Sequence, residues 1–402
     1  MDADYIVIGA GSAGCVLASR LSEDGARVVL LEAGPKDRNP MIHIPAGVRS
    51  LLYHPNVNWN YSTEGEAGTA GRRIHWPRGK VLGGSSSING MQYVRGNAAD
   101  YDGWAQRGCI GWSYDDVLPY FRKSENYRDG GERDYRGNSG VLEVQDARTA
   151  LPLTDRFIEA AQQAGHRLNP DYNGAKQEGV SYSQMTRKGR FRGSTASTYL
   201  ASAKSRPNLQ IETNSLATKL LFDNKRCIGV AFRQGGQDRE LRAKREVLLS
   251  GGSINSPHLL QVSGVGPGAH LQSIGVDTVH DLPGVGGNLS DHYAVRINHR
   301  VKGALTINEL ARIPRVIPEI AKWLLRGDGA LTFGATTVMV FTRSREGLET
   351  PDLQFLFAPV SFDPLVKNQL EREPGMSLII CPGRPDSRGT IMASSADPFE
   401  PP

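Results

Sequence analysis

The N-terminal part of the chain has the pattern of a strand, a glycine turn, a helix and a second strand. Residues 5–8 form a compact apolar run of the kind that is buried in a parallel sheet. Ala13, Leu17 and Leu21 then recur at helical spacing, and residues 27–31 form a second apolar run. The pattern predicts a β–α–β unit.

A glycine motif joins the first strand to the helix. Gly9, Gly11 and Gly14 stand in Gly-x-Gly-x-x-Gly order, and Ser12 and Ala13 open the helix. In a dinucleotide fold the first glycine permits the tight turn, the second lets the backbone approach a pyrophosphate, and the third allows close packing of helix on strand. Free N–H groups at the helix N-terminus then bind the phosphates.

An acidic residue, Glu32, ends the second strand and is followed by Ala33. Glu32 comes 18 residues after Gly14, close to the spacing at which a carboxylate accepts the ribose hydroxyls of a dinucleotide. Because a carboxylate repels a phosphorylated ribose, the motif argues against NADP and leaves NAD and FAD open.

Later parts of the chain predict a return to sheet and a second strand–turn–helix unit. Short apolar runs that indicate strands lie at 209–211, 217–222, 227–232 and 246–250. A pair of glycines follows the last run, and Ser256 as N-cap with Pro257 as the first helical residue predicts a helix that ends at Gly264. Thr154 is a plausible N-cap for an earlier helix.

Composition excludes several classes of protein. The chain has 402 residues, 39% of them apolar, which suits about two or three globular domains. The net charge of +5 comes from basic residues spread among acidic ones, so no nucleic-acid partner is expected. The four cysteines lack metal-ligand or redox spacing, so no metal is expected. The sequence also lacks the Gly-x-Ser-x-Gly elbow of hydrolases and the Walker loop of phosphotransferases.

Signals for export or membrane insertion are not evident in the sequence. The N-terminus lacks a basic region, and no apolar run reaches the roughly 18 residues that would span a bilayer. We therefore expect a cytoplasmic protein, and association with the surface of a membrane stays open.

The segment 76–92 is a second informative loop. Gly79, Gly83 and Gly84 bring backbone close to a bulky group, three serines follow, and an Asn-Gly pair makes a turn. This composition alone is equally typical of an ordinary glycine–serine loop.

Residues 79–89 and 252–266, together with the N-terminal glycine motif, resemble the signature segments of the glucose–methanol–choline (GMC) family of flavin oxidoreductases. The resemblance covers essentially the whole chain and implies FAD as the cofactor. Some members attach FAD through a histidine just before the signature asparagine; this chain has Ile88 there, which implies noncovalent FAD. The cofactor-binding residues expected from the motif and the resemblance are Gly9, Gly11, Ser12, Ala13, Gly14, Glu32, Ala33, Trp76, Gly79, Val81, Gly84, Asn89, Gly90, Met91, Gln92 and Ala217.

The resemblance also implies the fold class and the domains. We expect an α/β protein with a doubly wound Rossmann-type FAD-binding domain and an inserted α+β substrate domain on a mixed or antiparallel sheet. The FAD-binding domain is expected to comprise 1–150, including a flavin-contact loop at 76–95, and 190–300. The substrate domain is expected to comprise 151–189 and 301–402, incomplete at its C-terminal end.

The base of the family's reaction has no counterpart in the sequence. Alcohol oxidation by a flavin needs a group that takes the hydroxyl proton, and the family takes it from a C-terminal His-Pro-x-Gly-Thr-like segment that is absent here. His292 matches a structural segment of the family and is expected to be a satisfied loop histidine. We therefore assign no catalytic residue, and the hypothesis is a truncated GMC oxidoreductase.

The expected function is oxidation of a primary alcohol to an aldehyde by hydride transfer to flavin N5, with oxygen, a quinone or a redox protein as electron acceptor. Choline-oxidising members have a glutamate six residues before the position of Arg343, where this chain has Thr337, which favours a neutral alcohol. A choline dehydrogenase is one alternative. The others are an NAD dehydrogenase and an inactive flavin-binding remnant or interaction protein.

Overall fold

The computed structural model describes residues 2–147, 151–363, 366 and 369–402. Its strands are β1 (Asp2–Ile8), β2 (Val28–Leu31), β3 (Tyr61–Ser62), β4 (His75–Trp76), β5 (Glu125–Tyr127), β6 (Leu142–Asp146), β7 (Gly179–Tyr182), β8 (Gln184–Lys188), β9 (Phe191–Arg192), β10 (Leu209–Glu212), β11 (Ser215–Asp223), β12 (Arg226–Gln234), β13 (Gln237–Leu249), β14 (Val265–Gly266), β15 (His280–Asp281), β16 (Val295–Arg300), β17 (Val338–Thr342), β18 (Leu353–Ala358) and β19 (Gly375–Pro382).

The α-helices are α1 (Ser12–Leu21), α2 (Pro40–His43), α3 (Val48–Leu51), α4 (Ala98–Gln106), α5 (Tyr114–Ser124), α6 (Pro152–Gln163), α7 (Ala201–Ala203), α8 (Gly252–Val262), α9 (Gly268–Ser273), α10 (Ile307–Leu310) and α11 (Val316–Arg326). A π-helical turn spans Ala196–Leu200, and 3₁₀ turns span Pro45–Gly47, Ala67–Thr69, Gly84–Ser87 and Ala330–Thr332.

The largest sheet has the strand order β10-β2-β1-β13-β12-β11. The first four strands pair in parallel, and β12 and β11 extend the sheet in antiparallel fashion. All residues of β2 are buried, as expected for a continuous apolar run inside a parallel sheet.

Helices cover both faces of this sheet. Ile6 of β1 packs in an apolar cluster with Leu259 of α8, whereas its neighbour Val7 packs in another cluster with Ala18 of α1. Because β1 leads into α1 and the adjacent β13 leads into α8, the chain leaves neighbouring strands toward opposite faces. Doubly wound folds bind their ligands at such a switch point.

A second sheet is antiparallel, with the order β16-β19-β18-β17-β7. Helix α6 covers one face, where Ile158 and Ala161 pack with Val340 and Phe357. The two sheets confirm the predicted fold class, a doubly wound α/β domain combined with an α+β domain on an antiparallel sheet.

Two strands cross the predicted domain boundaries. Strand β16, predicted within the FAD-binding domain, pairs with β19 of the antiparallel sheet. Strand β6, in the predicted first segment, pairs with β8 of a smaller sheet of order β5-β6-β8-β9. The division into 1–150 with 190–300 and 151–189 with 301–402 stays a prediction.

A buried ionic cluster connects the end of the flavin-contact loop to this smaller sheet. Glu125, which has no exposed surface, accepts hydrogen bonds from Arg95 Nη2 at 2.9 Å and from Arg136 Nε at 2.8 Å. Arg136 Nη1 also donates to Asp171 Oδ1 at 2.6 Å. Since an unpaired charge in this interior would be costly, the four side chains hold three distant segments together.

Two helices begin earlier than the sequence pattern predicts. Helix α8 begins at Gly252, and Pro257 lies inside it, because Gly251 turns the chain directly from β13 into the helix. Helix α6 begins at Pro152, so Thr154 is in its first turn and is not the cap. Proline suits that first position because the N–H that it lacks would have no partner inside the helix.

Candidate cofactor site

A cavity of about 930 Å³ opens where β1 and β13 end. Its volume is in the range of about 300–1,000 Å³ typical of small-molecule and cofactor sites. The wall includes nine of the residues predicted from the sequence, namely Gly9, Gly11, Ser12, Ala13, Glu32, Ala33, Gly79, Gly84 and Ala217. The N-terminal motif, the glycine–serine loop and the turn after β13 therefore share one cavity.

Two helices begin at this cavity, α1 at Ser12 and α8 at Gly252. Neither N-terminus has a side-chain cap, and neither has an acidic residue in its first turn. The first N–H groups of a helix lack partners within the helix, and they favour an anion. The cavity thus offers two electropositive helix ends to a diphosphate.

The glycines of the N-terminal motif have two different roles. A Cβ built on Gly14 would lie 1.8 Å from the carbonyl oxygen of Gly9, and one on Gly9, whose φ is +95°, would lie 2.6 Å from that of Ser250. A Cβ on Gly11 would meet no atom of the described residues within 4 Å. Packing within the protein therefore requires Gly9 and Gly14, whereas Gly11 keeps the cavity wall open for a ligand.

Glu32 lies at the cavity wall and is 5% exposed. Its carboxylate accepts hydrogen bonds from the backbone N–H groups of Ala10 and Gly34, each at 2.9 Å. Burial raises the pKa of Glu32 to about 7, and the two backbone donors and Lys80 offset this only in part. Each oxygen keeps capacity for a further donor, so Glu32 can accept a ribose hydroxyl and would repel a ribose phosphate.

The glycine–serine loop packs directly on the N-terminal motif. A Cβ on Gly84 would lie 2.6 Å from Gly11 Cα. The N–H of Gly83 donates to the carbonyl oxygen of Ala10 at 2.8 Å. Backbone therefore meets backbone at this point, which explains why the loop carries adjacent glycines.

The other predicted contacts lie outside the wall of this cavity, and they are Gly14, Trp76, Val81, Asn89, Gly90, Met91 and Gln92. The side chains of Val81 and Met91 are fully buried in separate apolar clusters, so only their backbone can face a ligand. Gln92 Nε2 donates to the carbonyl oxygen of Thr336 at 3.2 Å, which ties the loop to the segment before β17. Cofactor contact by these residues stays a prediction.

A buried arginine, Arg192, supports the flavin-contact loop from behind. Its Nη1 donates to the carbonyl oxygen of Asn89 at 2.6 Å and to Asn89 Oδ1 at 3.0 Å, and its Nε donates to the carbonyl oxygen of Ile42 at 2.8 Å. The side chain is 1% exposed, and burial lowers the pKa of Arg192 to about 10. No pattern in the sequence distinguishes this residue from the many other arginines.

Several other residues of the cavity wall were not predicted from the sequence. Lys80 Nζ lies 4.5 Å from the ring centroid of Trp59, and Tyr61 donates to Asn255 Oδ1 at 2.6 Å. His258 is buried, its Nε2 has no partner among the described residues, and burial lowers the pKa of its ring. Trp59 and Tyr61 lie in a loop and in a two-residue strand, neither long enough to show a period, so no sequence signal pointed to them.

His292 is a satisfied loop histidine, as predicted. Its Nε2 hydrogen-bonds to the carbonyl oxygen of Gly383 at 3.1 Å. Since a ring nitrogen must donate to a carbonyl, this nitrogen cannot serve as a proton acceptor in that arrangement.

These features fit FAD. The uncapped ends of α1 and α8 suit the diphosphate, Glu32 suits the adenosine ribose, and Ala217 on β11 lies on the same wall. The open space at Gly11 leaves room for a ligand against the backbone. The described residues contain no cluster of ligands that could hold a metal ion.

Comparison with known proteins agrees with this site. The chain is 42% identical over 403 residues to an oxygen-dependent choline dehydrogenase of Photobacterium profundum, covering 99% of this chain and 70% of that protein. It is 42% identical over 405 residues to the corresponding protein of Brucella ovis, covering 100% of this chain and 73% of that protein.

Solved structures show the same architecture. Formate oxidase of Aspergillus oryzae RIB40, in a study of FAD modification, matches with a TM-score of 0.90 and 26% identity, over 100% of this chain and 76% of that one. Pyridoxine 4-oxidase of Mesorbium loti matches with a TM-score of 0.85 and 27% identity, over 98% and 74%. A family model described as GMC oxidoreductase matches residues 3–294. The chain therefore belongs to the GMC oxidoreductase family, whose members bind FAD and oxidise alcohols.

Proposed function

We propose that this protein oxidises a primary alcohol to the aldehyde with noncovalently bound FAD. The observation that carries the proposal is the joint cavity of Gly11, Glu32 and Gly84 at the switch point of the doubly wound sheet. When bound there, FAD would supply the hydride acceptor, flavin N5. The helix ends would hold the diphosphate, Glu32 the ribose, and the loop 76–92 the flavin.

The proposal of noncovalent binding rests on Ile88. This side chain is 2% exposed and packs with Ile42, Leu51 and Val81 in an apolar cluster. An aliphatic side chain cannot bond to the flavin, and here it also points into the protein core. Acid precipitation of the FAD-loaded protein is expected to release all flavin into the supernatant, whereas flavin retained in the pellet would contradict noncovalent binding.

We infer that the acceptor of the hydroxyl proton is not among the histidines described above. His292 donates to a backbone carbonyl, and burial lowers the pKa of His258, which makes its ring a weaker proton acceptor. General base catalysis typically contributes about 10²–10⁴-fold. The chain spans 70% to 73% of the length of the relatives named above.

Anaerobic mixing of the FAD-loaded chain with excess alcohol tests this step. Without a base, bleaching of the flavin is expected to be slow at neutral pH and to accelerate as hydroxide replaces the base at high pH. Fast bleaching at neutral pH would show that the base lies within the 402 residues. Retained FAD with no bleaching at any pH would favour the alternative of an inactive flavin-binding remnant.

Two kinds of alcohol compete as the substrate. The names of the relatives favour choline, whereas Thr337 at the aligned position favours a neutral alcohol because it lacks a charge. Thr337 is fully buried, and its backbone N–H donates to the carbonyl oxygen of Phe357 at 2.8 Å. Its side chain is therefore buried within the protein, and its position does not decide between choline and a neutral alcohol.

Choline and its neutral isostere 3,3-dimethylbutan-1-ol form a matched pair of substrates for this question. They have nearly the same shape and differ in the cationic charge. A higher rate of flavin reduction with the isostere would support the neutral alcohol, and a clear preference for choline would establish the alternative. The electron acceptor is tested by reoxidation of the reduced flavin with oxygen, a quinone or a redox protein.

A further inference from the structure

Helix α11 (Val316–Arg326) presents apolar side chains to solvent. Ile317 is 58% exposed, Leu324 is 55% exposed and Leu325 is 82% exposed. Ile320 is 41% exposed, and Ile313, in the segment before the helix, is 82% exposed. The spacing of 317, 320 and 324 places these three side chains along one stripe of the helix. Water thus contacts an apolar stripe that would ordinarily face a core.

Polar contacts hold the opposite face of α11 on the protein. Glu319 is 5% exposed and accepts hydrogen bonds from the N–H of Ala330 at 2.7 Å and from Lys322 Nζ at 2.6 Å. Trp323 Nε1 donates to the carbonyl oxygen of Arg190 at 3.1 Å. These contacts fix the orientation of the helix, so rotating the apolar stripe inward would break them.

Basic residues surround the stripe. Arg312, Arg315, Lys322 and Arg326 lie in the segment 312–326. Arg315 pairs with Glu309 at 2.7 Å and Lys322 pairs with Glu319 at 2.6 Å, whereas Arg312 donates to backbone carbonyl oxygens. Charged heads on long stems can reach from the sides of a helix past its apolar face. The exposed part of α11 is therefore apolar along its centre, and exposed positive charge borders it at Arg312 and Arg326.

An aromatic pair borders one end of the stripe. Phe191 is 45% exposed, and its ring meets that of Trp323 edge to face, with centroids 5.5 Å apart. Aromatic side chains with a polar handle, such as Trp, favour the boundary between water and lipid headgroups. The pair enlarges the apolar surface at the end of α11 where Arg190 lies.

We propose that α11 binds this protein to the surface of an anionic phospholipid membrane. Helices that lie in a membrane interface combine an apolar face with Lys and Arg at its edges, and they bind through apolar burial together with attraction to anionic headgroups. None of the described helices is long and apolar enough to cross a bilayer. The helix would therefore lie parallel to the surface, with its stripe among the headgroups.

The size of the stripe favours a membrane over a second protein chain. A helix of 11 residues is about 16 Å long and about 10 Å wide, so it offers roughly 160 Å². A stable protein–protein interface buries about 800 Å² on each partner. A fluid headgroup layer has no minimum area of this kind, and anionic headgroups supply negative charge for Arg312 and Arg326.

Flotation with vesicles tests the proposal. The protein is mixed with vesicles of phosphatidylcholine alone or of phosphatidylcholine with phosphatidylglycerol, and the bound fraction is measured at two salt concentrations. We expect binding to the anionic vesicles only, weakened by salt. The triple variant Ile317→Gln, Ile320→Gln, Leu324→Gln is expected to bind the anionic vesicles at least about tenfold more weakly. Arg326→Gln is expected to reduce the salt dependence of binding.

The control variant is Ile110→Gln, because Ile110 is 91% exposed and lies outside α11, in the loop between α4 and α5. It should bind vesicles as the unmodified chain does, and both variants should keep the circular dichroism spectrum and melting temperature. Absence of binding to anionic vesicles, or equal binding by the triple variant, would overturn the proposal. So would a dimer of the unmodified chain in sedimentation that the triple variant abolishes, because the stripe would then bind a second copy.

Discussion

Substitution of Gly11 and Gly14 by alanine separates cofactor binding from folding. Both glycines belong to the same turn, but a new methyl group meets different surroundings at each. At Gly11 it enters space that is free of described atoms within 4 Å, on the cavity wall. At Gly14 it would lie 1.8 Å from the carbonyl oxygen of Gly9, well inside contact distance.

The expected magnitudes follow from these distances. Gly11 has extended backbone angles, φ −76° and ψ −163°, that alanine also adopts, so Gly11→Ala should change the unfolding free energy of the cofactor-free protein by less than about 1 kcal/mol. The methyl group would displace the FAD diphosphate, at a cost of about 1–3 kcal/mol for overpacking, which is roughly five- to 150-fold in the dissociation constant. Gly14→Ala should lower the unfolding free energy by about 3 kcal/mol or more.

Two measurements on each variant test this reasoning. Denaturant unfolding of the cofactor-free protein gives stability, and titration with FAD, followed by flavin fluorescence, gives affinity. We expect Gly11→Ala to be stable and to bind FAD weakly. Unchanged FAD affinity in Gly11→Ala would refute the placement of the diphosphate, and unchanged stability in Gly14→Ala would refute the packing argument.

Three further substitutions probe the buried carboxylate of Glu32, the support of the flavin-contact loop by Arg192, and the ionic cluster around Glu125. Burial raises the pKa of Glu32 from its ordinary 4.5 to about 7, so this group stabilises the cofactor-free fold below pH 4.5 and loses that contribution as pH rises through 7. The unmodified chain should therefore lose unfolding free energy on the order of 3 kcal/mol between pH 4.5 and 8 in denaturant unfolding, and Glu32→Gln should not show this loss. Identical pH profiles of the two proteins would contradict this. Arg192→Met removes the donors to Asn89 of the flavin-contact loop and should weaken FAD binding about tenfold, with only partial rescue by Arg192→Lys. Unchanged FAD affinity in titration would exclude a supporting role. Glu125→Gln removes the carboxylate that two buried arginines share, and only Arg136 keeps another, Asp171. The change should cost about 3–5 kcal/mol of unfolding free energy, whereas Asp238→Asn at an exposed ion pair should leave stability unchanged. Equal unfolding curves for the two variants would contradict the importance of burial.

The local part of the cofactor site could be predicted from the sequence. Gly9, Gly11, Gly14 and Glu32 are separated by fixed numbers of residues, and such spacing determines where they lie once a strand, helix and strand form. The prediction that a strand and glycine turn precede α8 was also right. Its start at Pro257 was wrong, because a glycine turn can enter a helix without a separate cap.

The rest of the site depends on contacts between distant segments, which spacing does not determine. Arg192 approaches Asn89 because β9 lies behind the loop, and Tyr61 approaches Asn255 across 194 positions of sequence. The exposure of the apolar stripe of α11 could not be predicted from the sequence either. Its helical period is visible in the sequence, but only the fold shows which side of the helix the protein covers.

We propose that this chain binds FAD noncovalently in the cavity between β1 and β13. Titration of the purified, cofactor-free chain with FAD, followed by flavin absorbance and by recovery of flavin after denaturation, tests this binding. We expect saturable binding of one FAD per chain, abolished by Gly11→Val and fully released on denaturation. Failure to bind FAD, or saturable binding of NAD in its place, would contradict it.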